Sequence, residues 1–371
     1  MKICITIIAV IMIVACTSNT KESDQQSKNY SFFVGTYTDT LSEGIYRYQL
    51  GSDGTLKRIG LAGKTENPSF LAKSADNKFL LAVNEVNRDS VGSVVSFSIS
   101  GDSLTFISKS SSGGAHPCFV AVNKSGYVLA ANYTGGNVGL LQLNSKGELS
   151  SLLDLQQHTG HGPTDRQLTP HAHSAWFDPI NGQVISVDLG TDQLWLSHID
   201  TINQKFVPSN PYQLNMEPGA GPRHLAFHPN GKWIYVVDEL GGTVTQVLKT
   251  GENTYSAWAS FSTLPEGYKD PNTCADIHIS SDGKFVYASN RGHNSIAIFE
   301  VNQSDGTLKL LGHESVHGNW PRNFSLSPDD EYLVVANQYS NNIVSFKRDK
   351  NTGLLTFVSE IEAPVPVCIL F

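Results

Sequence analysis

The side chains able to do acid–base or anion chemistry occur in short phrases: His171-Ala172-His173-Ser174, Pro222-Arg223-His224, Asp238-Glu239, Ala275-Asp276-Ile277-His278, Asn290-Arg291 and Pro321-Arg322-Asn323. A histidine or glutamate can take a proton from water as a general base. Arginines stabilise a developing oxyanion and bind phosphate or carboxylate through a bidentate fork. His171, His173 and Asp276 also offer two imidazoles and a carboxylate to a divalent ion. Such i, i+2 pairs are common on strands, and no metal or other cofactor is expected. No serine sits in a Gly-Xaa-Ser-Xaa-Gly elbow and no cysteine has an evident histidine partner, so covalent catalysis has no support. A Gly-rich phosphate loop leading into a helix is also missing from the sequence.

These phrases belong to a repeat. Each repeat has a short apolar segment, a turn such as Pro229-Asn230-Gly231 or Ser281-Asp282-Gly283, and a second apolar segment ending in Asn or Asp; a third, alternating segment and often a fourth follow. The repeats begin near residues 68, 117, 172, 222, 274 and 321, at intervals of 49, 55, 50, 52 and 47. Four short strands per repeat of that length predict the blades of a β-propeller. The chain ends supply one more blade. Phe32 to Tyr37 reads as a second strand lacking a first, and Pro366 to Phe371 supplies that first strand, which hides an open sheet edge. The expected fold is all-β: a seven-bladed β-propeller in one domain over residues 31–371.

Aligning the repeats turns the sequence into a map of a site. In a blade the start of the first strand and the end of the second lie at the same face of the disc. The second position of the first strand carries Ser69, Cys118, His173, Arg223, Ala275, Arg322 and Val367; the third carries Phe70, Phe119, Ser174, His224, Asp276, Asn323 and Cys368. The residue just past the Asn or Asp is Tyr37, Glu85, Tyr133, Leu189, Glu239, Arg291 or Gln338. Asn84, Asn132, Asp188, Asp238, Asn290 and Asn337 recur blade after blade and are read as turn and backbone partners. The charges do not recur. His173, Arg223, His224, Glu239, Asp276, Arg291, Arg322 and Asn323 gather at one end of four successive blades, which points to a ligand. The competing account is a paired network plugging the channel, Arg223 with Glu239 and Arg291 with Asp276, since buried charge is costly unless paired. Both accounts predict contacts within this set. His158, His161, His313 and His317 fall between the apolar segments and are read as solvated.

The N-terminus carries an address. One cation, Lys2, precedes an apolar run from Ile3 to Ala15, too short to span a bilayer and suited to a signal peptide. It ends at Val14-Ala15-Cys16, which resembles a lipoprotein cleavage site. The reading is a signal over residues 1–15, a lipidated Cys16, a polar tether to residue 30, and a bacterial cell-envelope location held by the lipid. Cys118, Cys274 and Cys368 are odd in number and widely spaced, and are read as small buried residues. The 371 residues carry 26 Lys and Arg against 34 Asp and Glu, a formal charge of −8. Duplex binding needs a cationic surplus, so nucleic acid is excluded as a partner. A monomer is expected.

Phe33-Val34-Gly35-Thr36-Tyr37-Thr38, Gly219-Ala220-Gly221-Pro222-Arg223-His224 and Ser289-Asn290-Arg291 resemble the seven-bladed-propeller 6-phosphogluconolactonase family, which is itself similar to the carboxy-muconate lactonizing enzyme. The resemblance covers about Ser31 to Phe371. It implies hydrolysis of a sugar δ-lactone to its aldonic acid, with His173, Arg223, Glu239 and Arg291 as the catalytic set. Either Glu239 or His173 would serve as base, and Arg223 or Arg291 would face the oxyanion. Arg322 would take a substrate phosphate or carboxylate, with His224, Asp276 and Asn323 alongside in substrate binding. Phosphorylated sugar lactones belong to cytosolic pentose metabolism, whereas an export signal favours an extracytoplasmic lactone, phosphorylated or not. Two other readings stand beside this one: an envelope-anchored propeller that binds a glycan or protein partner, and a metal-dependent lactonase using His171, His173 and Asp276.

Overall fold

A computed structural model describes residues 28–371; the signal segment, Cys16 and most of the tether lie outside the described residues. Seven four-stranded antiparallel sheets form a β-propeller. Blade 1 is split: Pro366–Leu370 pairs with Tyr30–Thr36, followed by Gly44–Leu50 and Leu56–Lys64. The innermost strands of blades 2 to 7 are Leu71–Lys73, Pro117–Val122, Ala172–Phe177, Pro222–Phe227, Thr273–Ile279 and Pro321–Leu326. The ring therefore closes through both chain ends, as the terminal segments predict.

Burial explains the strand sequences. Second strands have neighbours on every side, and Tyr127–Asn132, Trp233–Asp238 and Tyr332–Asn337 are buried at every residue. Outer strands such as Tyr255–Ser262 face solvent on one side and alternate accordingly. The core consists of seven apolar clusters, one between each pair of adjacent blades. Phe33, Ile45, Leu80 and Phe97 join blades 1 and 2; Phe32, Tyr48, Val334 and Ile369 join blades 7 and 1. The five clusters between complete the circuit. Each buried Phe, Ile or Leu contributes roughly 1.5–3 kcal/mol, and no blade could bury its faces alone. Tyrosines of the second strands end in polar contacts with the next blade: Tyr235 Oη donates to Gly306 O and Tyr287 Oη to Gly353 O, both at 2.8 Å.

The recurrent Asn and Asp side chains act as the alignment suggests. Asn132 Nδ2 donates to Ser112 O at 2.9 Å, Asn290 Nδ2 to Thr263 O at 2.8 Å and Asn337 Nδ2 to Val316 O at 3.0 Å. Asp238 accepts from Thr243 and Thr245. Cys118, Cys274 and Cys368 are free and buried. Two of the four histidines read as solvated are not. His158 is buried, 2.7 Å from Asp188 Oδ2 and stacked on Trp195, and His313 sits in a strand against Thr263 O. His161 and His317 are exposed.

Candidate active site

Strand register places the first column of the site. In blades 3, 4, 5 and 7 the ladder skips one residue after the strand's first, between Pro117 and Phe119, Ala172 and Ser174, Pro222 and His224, and Pro321 and Asn323. Cys118, His173, Arg223 and Arg322 are those skipped residues. A β-bulge releases its extra residue from the ladder and re-aims the side chain, here toward the channel mouth. In blade 6 the shift is wider, from Cys274 to Ile277, and takes in Asp276. The second column comes from the turns that end the second strands.

Together they line a cavity of about 350 Å³ with Tyr37, Glu85, Cys118, Tyr133, Arg166, His173, Glu239, Thr273, Arg291, Trp320, Arg322, Gln338 and Tyr339. Six of the seven residues just past the Asn/Asp column are here, Leu189 being the exception. Of the four residues expected to catalyse, His173, Glu239 and Arg291 line the cavity, and Arg223 lies directly behind Glu239. Arg322 also lines it. His224, Asp276 and Asn323 do not; they form a buried layer beneath.

Glu239 is the electrostatic centre. Its Oε2 accepts from Arg223 Nε at 2.9 Å and lies 2.9 Å from Arg291 Nη2; its Oε1 accepts from Arg166 Nη2 at 3.2 Å. The expected pairing of Arg291 with Asp276 is therefore wrong: Arg291 reaches Glu239 and donates to Cys274 O, while Asp276 is taken up below. Burial alone would raise the Glu239 carboxyl, but Arg291, Arg223, Arg166 and Arg322 outweigh it and hold the group at about 2. A carboxylate so stabilised is a weak base. Arg223 Nη1 also donates to Ala275 O. Burial, with Arg291 and Arg322, lowers it to about 10, so it stays charged at neutral pH.

His173 is the opposite case. Burial pushes its imidazole well below the ordinary value, and Arg223, His224, Arg322 and Arg291 push the same way. It is therefore neutral at pH 7 and, although a weaker base than a free imidazole, has a lone pair that no cation occupies. Nδ1 lies 3.8 Å from Cys118 Sγ, and among the described residues nothing is hydrogen-bonded to Nε2. Burial keeps Cys118 a thiol rather than a thiolate, which argues against a cysteine nucleophile. Arg322 stacks over Tyr37 at 5.3 Å and has Glu85 Oε2 at 3.9 Å, but makes no direct hydrogen bond among the described residues. Tyr37 Oη donates to that same Glu85 oxygen. Arg291 stacks over Trp320 at 5.2 Å.

In the layer beneath, His224 Nδ1 meets Asp276 Oδ1 at 2.8 Å, and Asp276 Oδ2 takes His278 Nε2 at 3.1 Å and the Asn323 amide. Burial and Arg223 lower His224 to about 4 despite Asp276. Burial tends to raise Asp276, but His278 and His224 more than reverse this and keep it ionised. His224 packs edge-on against Phe70, Phe119 and His173. His171 turns away to Tyr133, with Nδ1 3.0 Å from the Tyr133 carbonyl. Among the described residues no group of three His, Cys, Asp or Glu side chains is placed to hold a metal ion.

A family model described as lactonase, 7-bladed β-propeller, matches residues 31–371. The chain belongs to that family. It is 38% identical to a 6-phosphogluconolactonase of Bacillus subtilis, over 92% of this chain and 98% of the relative. A 6-phosphogluconolactonase of Formosa agariphila is 37% identical, over 87% of this chain and 94% of the relative. The solved structure of a periplasmic gluconolactonase of Pseudomonas aeruginosa superposes with a TM-score of 0.88 at 29% identity, covering 92% and 98% of the two chains. Within this lactonase the alignment of repeats missed Arg166, Trp320, Thr273 and Tyr339. Arg166 lies on a 3₁₀ turn, Asp165–Gln167, in the connection between blades 3 and 4. The one available signal was length: the 55-residue interval from Pro117 is the longest in the repeat.

Proposed function

We propose that this protein hydrolyses a sugar δ-lactone to its aldonic acid, with His173 as general base. The observation that carries the reading is the contrast between a neutral, unpartnered His173 Nε2 and a Glu239 whose lone pairs are taken by three arginines. Water held against Nε2 gives up its proton as it attacks the lactone carbonyl. Blades 4 and 7 lie on opposite sides of the channel, so Arg322 faces His173 across the cavity. Its unspent donors, with Arg291, receive the carbonyl oxygen as it becomes an oxyanion. Collapse of the tetrahedral intermediate breaks the ring C–O bond, and the proton on His173 returns to the leaving ring oxygen. Glu239 fixes Arg291 and Arg223. The His224–Asp276–Asn323 layer supports His173 from below rather than touching substrate. No step calls on a metal.

The sugar-lactone class is supported by the curated relatives, named 6-phosphogluconolactonase. Export, read from residues 1–16, remains part of the proposal, and the Pseudomonas aeruginosa relative is itself named a periplasmic gluconolactonase. The strand Tyr30–Thr36 ends beside Tyr37 in the cavity, so the tether joins the ring at the opposite rim. No observation favours a binding module without turnover over this reading. The test is initial-rate titration of acid released from glucono-δ-lactone and its 6-phosphate, by protein starting after Cys16, against a buffer blank. The expected result is a protein-dependent, saturable rate on at least one lactone; rates equal to buffer on both would end the proposal.

A further inference from the structure

Four arginines, three lining the cavity and Arg223 behind it, are in two different states. Arg223, Arg291 and Arg322 have side chains 2%, 5% and 17% exposed, whereas Arg166 is 54% exposed. Arg223 and Arg291 are tied to main-chain carbonyls, and Arg291 and Arg322 lie over aromatic rings. Arg166 is held only through side chains, by Tyr133 Oη at 3.1 Å and Glu239 Oε1 at 3.2 Å. Glu239 already has Arg223 and Arg291. It can release Arg166 without becoming an unpaired buried carboxylate, so this contact can be exchanged at little cost.

The backbone carrying Arg166 is fixed. Gln167 Nε2 donates to Leu189 O at 2.8 Å and to Asp192 Oδ1 at 2.6 Å, and Gly162 N donates to Gln167 O at 2.9 Å. Asp192 also accepts from Gly219 N and Gly221 N, both at 2.7 Å, so the same carboxylate secures the loop that enters Arg223. Reorientation of Arg166 is thus a movement of one long side chain on a held turn. The lining has three arginines against Glu85 and Glu239, with Arg223 a further cation behind it. That balance favours an anion at the rim.

We propose that Arg166 is a specificity-determining residue that leaves Glu239 to grip an anionic substituent, phosphate or carboxylate, on the lactone. This rests on the lactonase reading above. It reassigns the anion-binding role expected of Arg322, which is better placed for the carbonyl oxygen. Asp192 and Gln167 are the positioning residues behind it.

The test compares wild type with Arg166→Gln on three lactones: neutral glucono-δ-lactone, its 6-phosphate, and the glucaric acid lactone with a carboxylate at carbon 6. In parallel, calorimetry gives Kd for gluconate, 6-phosphogluconate and glucarate. A lost charge-assisted contact is expected to raise KM for the anionic lactones by about 10- to 100-fold with kcat nearly held. The neutral lactone should lose less than about threefold in kcat/KM. Response of only the phosphate or only the carboxylate substrate supports the proposal and names the group. Equal losses on neutral and anionic substrates, or no loss on either, overturn it. If wild type opens no lactone above buffer, the lactonase reading fails. The Kd comparison still decides Arg166. All three acids share the carbon-1 carboxylate, so the variant should weaken 6-phosphogluconate or glucarate, which carry a second anionic group at carbon 6, by at least about tenfold more than gluconate. Equal weakening of all three overturns the proposal.

Discussion

Glu239→Gln keeps the shape of the side chain and removes the charge that three arginines share. In the folded protein the carboxyl is held at about 2, against an ordinary value of 4.5. That gap corresponds to roughly 3 kcal/mol of folding stability. The folded value is the lower one. The contribution is therefore fully present above about pH 4.5 and is lost as the pH falls toward 2. At pH 7 the variant should be less stable by roughly 3 kcal/mol, in the range found when one partner of a buried ion pair is removed. The deficit should narrow when both proteins are compared at pH 3.5. Urea denaturation followed by tryptophan fluorescence at the two pH values measures this directly. Activity should fall as well, by about 100-fold, because Arg291 loses the partner that fixes it. Since Glu239 is a clamp and not the base, the acid limb of the variant's residual kcat/KM should persist. Equal urea midpoints at pH 7, or a deficit that stays constant into acid, would refute the clamp. Disappearance of the acid limb would refute the choice of base.

Two further outcomes follow from the same coordinates. His173→Gln should lower kcat by about 10²- to 10⁴-fold with KM little changed. Wild-type kcat/KM should be flat through neutrality and fall only well below pH 6.5, where His173 takes up its proton; the variant's residual rate should lack that fall, and a retained one would remove His173 as base. Val365, just before the closing strand, holds φ at 42°, where a β-branched side chain is strained. Val365→Asn should raise the unfolding free energy by about 1 kcal/mol, and a lower thermal midpoint would contradict the strain.

The ring was legible because each blade must restate the same chemistry. Six of the seven second strands carry an Asn or Asp at their end, Thr36 standing there in the split blade, since each must tie off a turn, and the apolar positions recur since each blade contributes to two interblade clusters. The split blade followed from Phe32–Tyr37 lacking a partner that Pro366–Phe371 could supply. Positions within a blade, and so the approach of His173, Arg223, Glu239 and Arg291, came from the alignment alone. What failed were matters the repeat does not encode. The plugged-channel account pairs Arg291 with Asp276, a neighbour in its own blade, but a long guanidinium reaches across to Glu239 in blade 5. Arg166 stands in an insertion, where no other blade offers a position to align. His158 was read as solvated because it follows a strand, yet Asp188 and Trp195 fold over it. The bulges left no mark either, because skipping one residue keeps the apolar pattern beyond it intact.

Those bulges explain how one ring can carry an unsymmetrical site. A residue inside a ladder points its side chain to one face of its sheet, where a buried position joins an interblade cluster, so its identity is bound to packing. Cys118, His173, Arg223 and Arg322 are exempt, since the register passes them by and their side chains leave the interblade clusters untouched. Blade-specific chemistry can then vary at that column without disturbing closure of the ring. The exemption has an electrostatic limit. Arginines gathered from blades 5, 6 and 7 and from an insertion sit within one narrow mouth, where they repel one another and lose solvent. Glu239 offsets that repulsion for three of them, and Glu85 faces the fourth. Each arginine of the bulge column has a carboxylate of the turn column within reach, Glu239 for Arg223 and Glu85 for Arg322.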